Sequence, residues 1–257
     1  MAEDLLKIAD RSFRSRFMIG TGKFPSDEIM RGCLKAAEAE IITVALRRVD
    51  VNDPGSDIIS ALDPKEIFIL PNTSGAQNSG EAVRLAMLAR EAGMSDWVKL
   101  EVTPDPKYLW PDGDETLKAA KILVKEGFKV LPYIGPDPVL AKKLEDAGTV
   151  TVMPLASPIG TNKGLKNSDA VKIIISQADI PVVIDAGLGS PSDAALAMEI
   201  GADAVMINTA VSAAPEPVEM ARAFNLAVKA GRMAFLSGTA AKRDTARPSS
   251  PTEWISK

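Results

Sequence analysis

The chain has no histidine and a single cysteine, Cys33, among its 257 residues. Without histidine, neither the common zinc sites nor a Ser-His-Asp or Cys-His relay can be assembled within it. Acid–base chemistry therefore falls to Lys, Asp, Glu or Tyr, and no metal is expected. One cysteine excludes an intramolecular disulfide framework and fits a reducing, cytoplasmic compartment. No apolar run approaches the ~18–20 residues of a membrane-spanning helix. The N-terminus, MAEDLLKIADRSFRSRF, carries scattered charges and no apolar h-region, so no secretory signal is expected. Nor is there an excess of one charge: 30 Lys plus Arg stand against 34 Asp plus Glu, a formal −4. That mild, dispersed acidity argues against nucleic acid or an acidic membrane as the main partner.

What is present is an ordinary globular composition, 46% hydrophobic and 25% charged, in a chain long enough for one sizeable core. Short β-branched runs at 17–20, 41–46, 67–70, 97–102, 129–134, 150–155, 181–186 and 204–208 predict strands. Amphipathic segments at 81–91, 115–126, 138–147 and 168–177 predict helices between them. Pro191 and the Pro215-Glu-Pro run open two more, the second covering 218–230. Helices are expected to close on Gly93, Gly127, Gly148, Gly201 and Gly231. The repeat, unbroken by any shift in composition, predicts a single α/β domain, a (β/α)8 TIM barrel over 1–238, followed by a polar tail at 239–257. A doubly wound open sheet is the alternative. Helix-to-strand joints are tight and strand-to-helix joints long, as at 47–56, 71–79, 103–114 and 156–167. In a barrel the long loops gather at the carboxyl ends of the strands, where active sites are built.

The strongest chemical signal is Trp97-Val-Lys-Leu-Glu-Val. With a period of two, Lys99 and Glu101 share one strand face and Val98, Leu100 and Val102 the other. If the apolar set packs on helices, Lys99 and Glu101 point into the barrel. Burial is expected to lower the lysine pKa and make the amine a nucleophile towards a carbonyl. A Lys–Glu ion pair that merely fills the barrel fits the same pattern. The segment 183–192, VIDAGLGSPS, is a strand, a glycine turn and a helix start. Gly187 and Gly189 let backbone approach an anion, with Asp185 at the strand mouth as an acid–base candidate or a cap of its own turn. A second turn follows at Asn208-Thr209-Ala210. Loops after strands seven and eight are the usual phosphate position in such barrels, although tight turns without a ligand read alike. Arg47 and Arg48 end strand two at the same mouth, where one could meet an anionic ligand, although solvated charge is the favoured reading. Cys33 is expected in a helix as a small core residue.

These motifs, in this order, resemble the thiazole synthase family of thiamin biosynthesis. The matching stretches are IGTGKF at 19–24, TVALRR at 43–48, LPNTSG at 70–75 and VKLEV at 98–102. EGFKVLPY at 126–133, VMPLASPIG at 152–160, VIDAGLGSPSDAA at 183–195 and INTAVSAA at 207–214 complete them. The resemblance covers nearly all of the chain to Gly238. It implies a (β/α)8 barrel that binds 1-deoxy-D-xylulose 5-phosphate as an imine of Lys99, with Glu101 and Asp185 moving protons. Gly160, Ala186-Gly187 and Asn208-Thr209 would hold the sugar phosphate. Sulfur would arrive as the C-terminal thiocarboxylate of a small ubiquitin-like carrier protein, and another enzyme would supply dehydroglycine. No cofactor is implied, and a homo-oligomer, a tetramer, is expected. Where many members read PNTAGC and MPLGSPIG, this chain has Ser74, Ala76 and Ala156. The methyl of Ala156 is expected beside the sugar site. A Schiff-base aldolase or isomerase acting on a sugar phosphate would use the same Lys99. A non-catalytic sugar-phosphate-binding barrel would need none of its chemistry.

Overall fold

The computed structural model of the chain describes residues 4–45 and 67–250. Arg47 and Arg48, with the loop they open, lie outside the described residues. A short antiparallel hairpin, β1 (Leu6–Ile8) and β2 (Arg11–Phe13), precedes the repeat. Then follow β3 (Phe17–Gly20), α1 (Asp27–Ala37), β4 (Ile41–Ala45), β5 (Phe68–Asn72), α2 (Ser79–Glu91), β6 (Trp97–Leu100) and α3 (Gly113–Lys125). Next come β7 (Lys129–Ile134), α4 (Pro138–Asp146), β8 (Met153–Pro154), α5 (Ser168–Gln177), β9 (Val183–Asp185) and α6 (Pro191–Glu199). The last elements are β10 (Ala204–Ile207), α7 (Thr209–Ser212) and α8 (Pro217–Ser237).

Among the described residues, β3 to β10 form one eight-stranded sheet in the order β8-β7-β6-β5-β4-β3-β10-β9, every pairing parallel. Parallel bridges Val152–Val182 and Leu155–Asp185 join its two edges. The sheet is thus closed into the (β/α)8 barrel the repeat predicts, and the open sheet is excluded. Each expected strand is present; β3 and β7 match to the residue, and the ends of the others differ by at most three residues. The strands β8 and β9 are short because their flanks contribute only these closing bridges.

Helix starts follow local chemistry. Ser26, Asn78 and Asp112 accept hydrogen bonds from the backbone N–H of Ile29, Glu81 and Glu115, so each satisfies a donor that its helix leaves open. Ser190 and Asp193 form a reciprocal capping box ahead of Pro191. Gly93, Gly127, Gly148 and Gly201 follow their helices with positive φ, as expected. Gly231 does not close a helix: α8 continues through it to Ser237. A Cβ there would come within 2.4 Å of the Ala195 carbonyl oxygen on α6, so the glycine serves close helix packing.

Period-two alternation divides the core into two parts. Outward residues such as Val98, Leu100, Val130, Val152, Ile184 and Val205 pack under the helices, together with Cys33 of α1. Inward residues Met18, Ile41, Leu70, Trp97, Leu131, Met153, Val183 and Met206 pack with Leu6, Ile8 and Phe13 of the hairpin. The hairpin thereby plugs the foot of the barrel. The composition of the N-terminal segment does not anticipate this, because strands of three residues are too short to show a period.

Candidate active site

Moving two residues along several inward-facing strands changes apolar to polar. Ile41 gives way to Thr43, Leu70 to Asn72, Trp97 to Lys99 and Glu101, and Val183 to Asp185. The apolar plug therefore forms a floor, and a polar layer lies on it at the carboxyl ends of the strands. Lys99 on β6 and Asp185 on β9 are separated by β7 and β8 around the wall, so they meet across the barrel interior. Lys99 Nζ lies 2.6 Å from Asp185 Oδ2 and 3.2 Å from Glu101 Oε1. These three residues are only 6%, 3% and 5% exposed. Asp185 Oδ1 accepts the Ala186 N–H at 2.7 Å, which fixes the carboxylate plane. Thr73 Oγ1 bonds both the N–H and the carbonyl of Glu101, each at 2.8 Å, and so clamps the backbone beneath that carboxylate. Asn72, the register neighbour of Lys99, donates to Thr43 Oγ1 at 2.7 Å.

Electrostatics in this cluster differ from the sequence expectation. Burial does work against the Lys99 ammonium, but Asp185 and then Glu101 outweigh it, and the amine sits above its ordinary pKa. The expectation of a lowered value considered burial alone. Asp185 is contributed by a strand far away in sequence, so its contact was invisible. The Asp185 carboxyl is itself raised, first by burial and then by Glu101, against the opposing pull of Lys99. The raised Asp185 carboxyl is the stronger base for being buried, while the raised lysine pKa keeps the proton on Lys99 Nζ in the resting site.

Above the ion triad opens a cavity of about 430 Å³. It is lined by Lys99, Glu101 and Asp185, and also by Gly160, Ala186, Gly187, Asn208 and Thr209. These eight residues thus face one space; Gly189, also read as a glycine that lets backbone approach an anion, is not among the lining residues and packs instead against the Asn162 carbonyl. The loops after β8 and β9 are stitched together: Ala156 N–H donates to the Asp185 carbonyl at 2.9 Å, and Gly164 N–H donates to that of Gly187 at 2.8 Å. Ala186 and Gly187 both have positive φ, 53° and 71°. A Cβ on Gly187 would lie 2.4 Å from the Ser157 carbonyl oxygen, so loop-to-loop packing already demands glycine there. The Ala156 methyl does not stand beside the sugar site. It is fully buried in the shell under the helices, away from the cavity lining.

The family model for thiazole biosynthesis protein ThiG matches residues 7–251. Thiazole synthase 1 of Syntrophotalea carbinolica is 61% identical over 248 residues, covering 96% of each chain. The thiazole synthase of Syntrophobacter fumaroxidans is 59% identical over 246 residues, again covering 96% of both. A crystal structure of the Amycolatopsis orientalis BexX/CysO complex superposes with a TM-score of 0.84 at 34% identity, covering 93% of this chain and 98% of that one.

The chain belongs to the thiazole synthase family. It is accordingly an enzyme of thiamin biosynthesis built on a (β/α)8 barrel. Two residues of this thiazole synthase site escaped the reading of its sequence. Tyr133, inward on β7 and fully buried, places its ring centroid 5.7 Å from Lys99 Nζ, and its hydroxyl points to the Leu109 carbonyl at 3.5 Å. Burial first, then Asp185 and Glu101, push the phenol well above its usual pKa, so it stays neutral. Its inward position was legible from the period-two pattern of β7. Lys23, in the turn after β3, also lines the cavity. Nothing periodic marks a lysine in a glycine-rich turn; only the IGTGKF motif drew attention to it.

Proposed function

We propose that this thiazole synthase works through an imine between Lys99 and the ketone of 1-deoxy-D-xylulose 5-phosphate. What carries the reading is the Lys99 amine in contact with Asp185 and Glu101 at the floor of an open cavity. Asp185 takes a proton from the ammonium, the freed amine adds to the ketone carbon, and the carbonyl oxygen leaves as water. Glu101 and Asp185 then move protons as the imine tautomerises. The phosphate rests on the loops carrying Gly160, Ala186-Gly187 and Asn208-Thr209. Thr209 begins α7, so the first N–H groups of that turn lack intrahelical acceptors.

Sulfur reaches the imine from the C-terminal thiocarboxylate of a small ubiquitin-like carrier, and dehydroglycine from a separate enzyme supplies carbon and nitrogen. The BexX/CysO likeness supports a protein partner at this stage. We further propose a cytoplasmic homotetramer, with residues from 239 onward as a polar tail outside the barrel. The described part of that tail, to Ser250, is exposed and has no helix or strand.

Reconstitution tests the assignment. Enzyme, ketose phosphate, dehydroglycine and carrier thiocarboxylate together should yield thiazole phosphate by mass spectrometry. Omitting the thiocarboxylate should stop product while leaving the Lys99 adduct. An aldolase or isomerase would instead turn the ketose phosphate over without the carrier.

A further inference from the structure

The charged side chains among the described residues lining the cavity are Lys23, Lys99, Glu101 and Asp185. Lys99 is held by both carboxylates, and the three together carry a net −1. A phosphate monoester brings close to two further negative charges at neutral pH. Unless another cation lies nearby, a phosphorylated substrate would enter a field of its own sign. Lys23 makes no ion pair among the described residues.

Local geometry directs Lys23 towards one place. Thr21 fixes the base of its turn by donating both N–H and Oγ1 to the Thr43 carbonyl, each at 3.1 Å. Lys23 itself adopts φ 68°, a left-handed conformation that side chains other than Asn and Asp rarely take. A methyl built on Gly160 would stand 3.6 Å from Lys23 Nζ and 3.8 Å from Thr209 Oγ1. The space that Gly160 leaves open is therefore bordered by an ammonium and by a hydroxyl at the start of α7.

We propose that Lys23 is the cation that binds the substrate's phosphate, closing over it from the β3 turn opposite the backbone of the loops after β8 and β10. This rests on the sugar-phosphate reading above and adds the residue that gives preference for a phosphorylated ketose. Because Lys23 is exposed and lies away from the core, Lys23→Gln should fold normally. Lys23→Arg keeps the charge.

Calorimetric titration of wild type, Lys23→Gln and Lys23→Arg with three probes tests it: deoxyxylulose 5-phosphate, unphosphorylated deoxyxylulose and inorganic phosphate. Lys23→Gln should lose about tenfold to a hundredfold in affinity for both phosphate-bearing probes, the usual scale for a charge-assisted hydrogen bond. It should bind the unphosphorylated ketose as wild type does. Lys23→Arg should recover most of the loss, and added salt should weaken phosphate binding less in Lys23→Gln than in wild type. Unchanged phosphate affinity in Lys23→Gln, or equal losses for the two ketoses, would overturn the proposal. Lys23-dependent binding of inorganic phosphate without binding of the ketose phosphate would uphold Lys23 and overturn the substrate instead.

Discussion

The two ends of this barrel both contain a cavity and ion pairs, yet they are built to opposite effect. At the foot, a cavity of about 480 Å³ lies among the starts of β3 and β4 and the helix α8. Its charges answer one another: Asp4 pairs with Arg16 at 2.9 Å and Arg232 at 2.8 Å, and Glu38 with Lys229 at 2.7 Å. Glu40 accepts backbone N–H groups of Arg14 and Ser15. At the mouth, a single buried ammonium faces two buried carboxylates, and an open space lies above them. Cavity size does not distinguish the two ends. The difference is that the ion pairs at the foot include well-exposed partners such as Lys229 and Glu38, whereas the Lys99, Glu101 and Asp185 triad at the mouth is buried throughout and by itself carries one excess negative charge. The foot ties chain segments together; the mouth gathers the groups proposed for the chemistry around one buried ammonium.

The largest effect that should separate the ends comes from Lys99→Ala. Imine formation and turnover should vanish, and Lys99→Arg should be equally inactive because a guanidinium stays protonated. Lys99→Ala should also cost about 3–5 kcal/mol at neutral pH, since two buried carboxylates lose their cation. The Asp185 carboxyl, already raised by burial, rises further without the opposing pull of Lys99. The penalty is then full at neutral and alkaline pH and is relieved as pH falls and Asp185 protonates. Denaturant titrations at neutral and mildly acidic pH check the sign.

Next come Asp185→Asn and Glu101→Gln, each expected to slow turnover by about 10²–10⁴-fold with ketose phosphate still bound. The two should differ in one respect. Asp185 is the stronger of the two influences holding the Lys99 amine protonated. Its loss should therefore move the rising limb of imine formation to lower pH by more than the loss of Glu101 does. Initial rates of adduct trapping from neutral to alkaline pH give the order, and identical profiles would break the assignment.

That distinction also marks how far the sequence was legible. The strands and the inward face of Lys99 and Glu101 could be read from a period of two, because burial on two sides of a wall imposes it. The approach of Asp185 to Lys99 could not, since it exists only once the sheet closes and brings β6 and β9 face to face. The raised lysine pKa follows from that contact and was missed with it. The hairpin escaped because three residues carry no period, and the full length of α8 because a glycine inside a helix looks like its end until α6 is seen against it. The loops proposed for the phosphate were singled out by glycine spacing, but what demands glycine at 187 is its contact with Ser157, a residue thirty positions away.

At the foot the expected effects concern stability. Phe13 packs against Phe68 and edge-on to Trp97, with centroids 6.1 and 6.4 Å away. Phe13→Ala should cost about 3–5 kcal/mol by opening the plug, while folded enzyme traps the ketose phosphate at the wild-type rate. A change in trapping would mean that the plug shapes the floor of the site. The smallest effect is Arg232→Ala, about 1 kcal/mol or less, because its partner Asp4 is well exposed. Hydrogen bonding from Arg232 holds the Asp4 carboxyl below its ordinary pKa. This contribution is present at neutral pH and lost as pH falls through that lowered value, so the gap between variant and wild type should narrow in acid.

The central claim is that the reactive amine of this enzyme is Lys99, held between Asp185 and Glu101. Borohydride reduction in the presence of deoxyxylulose 5-phosphate, followed by peptide mass mapping, tests it most directly. One adduct should form, on the peptide containing Lys99, and it should be absent from Lys99→Ala. An adduct on any other lysine, or none in the wild-type enzyme, would contradict the account.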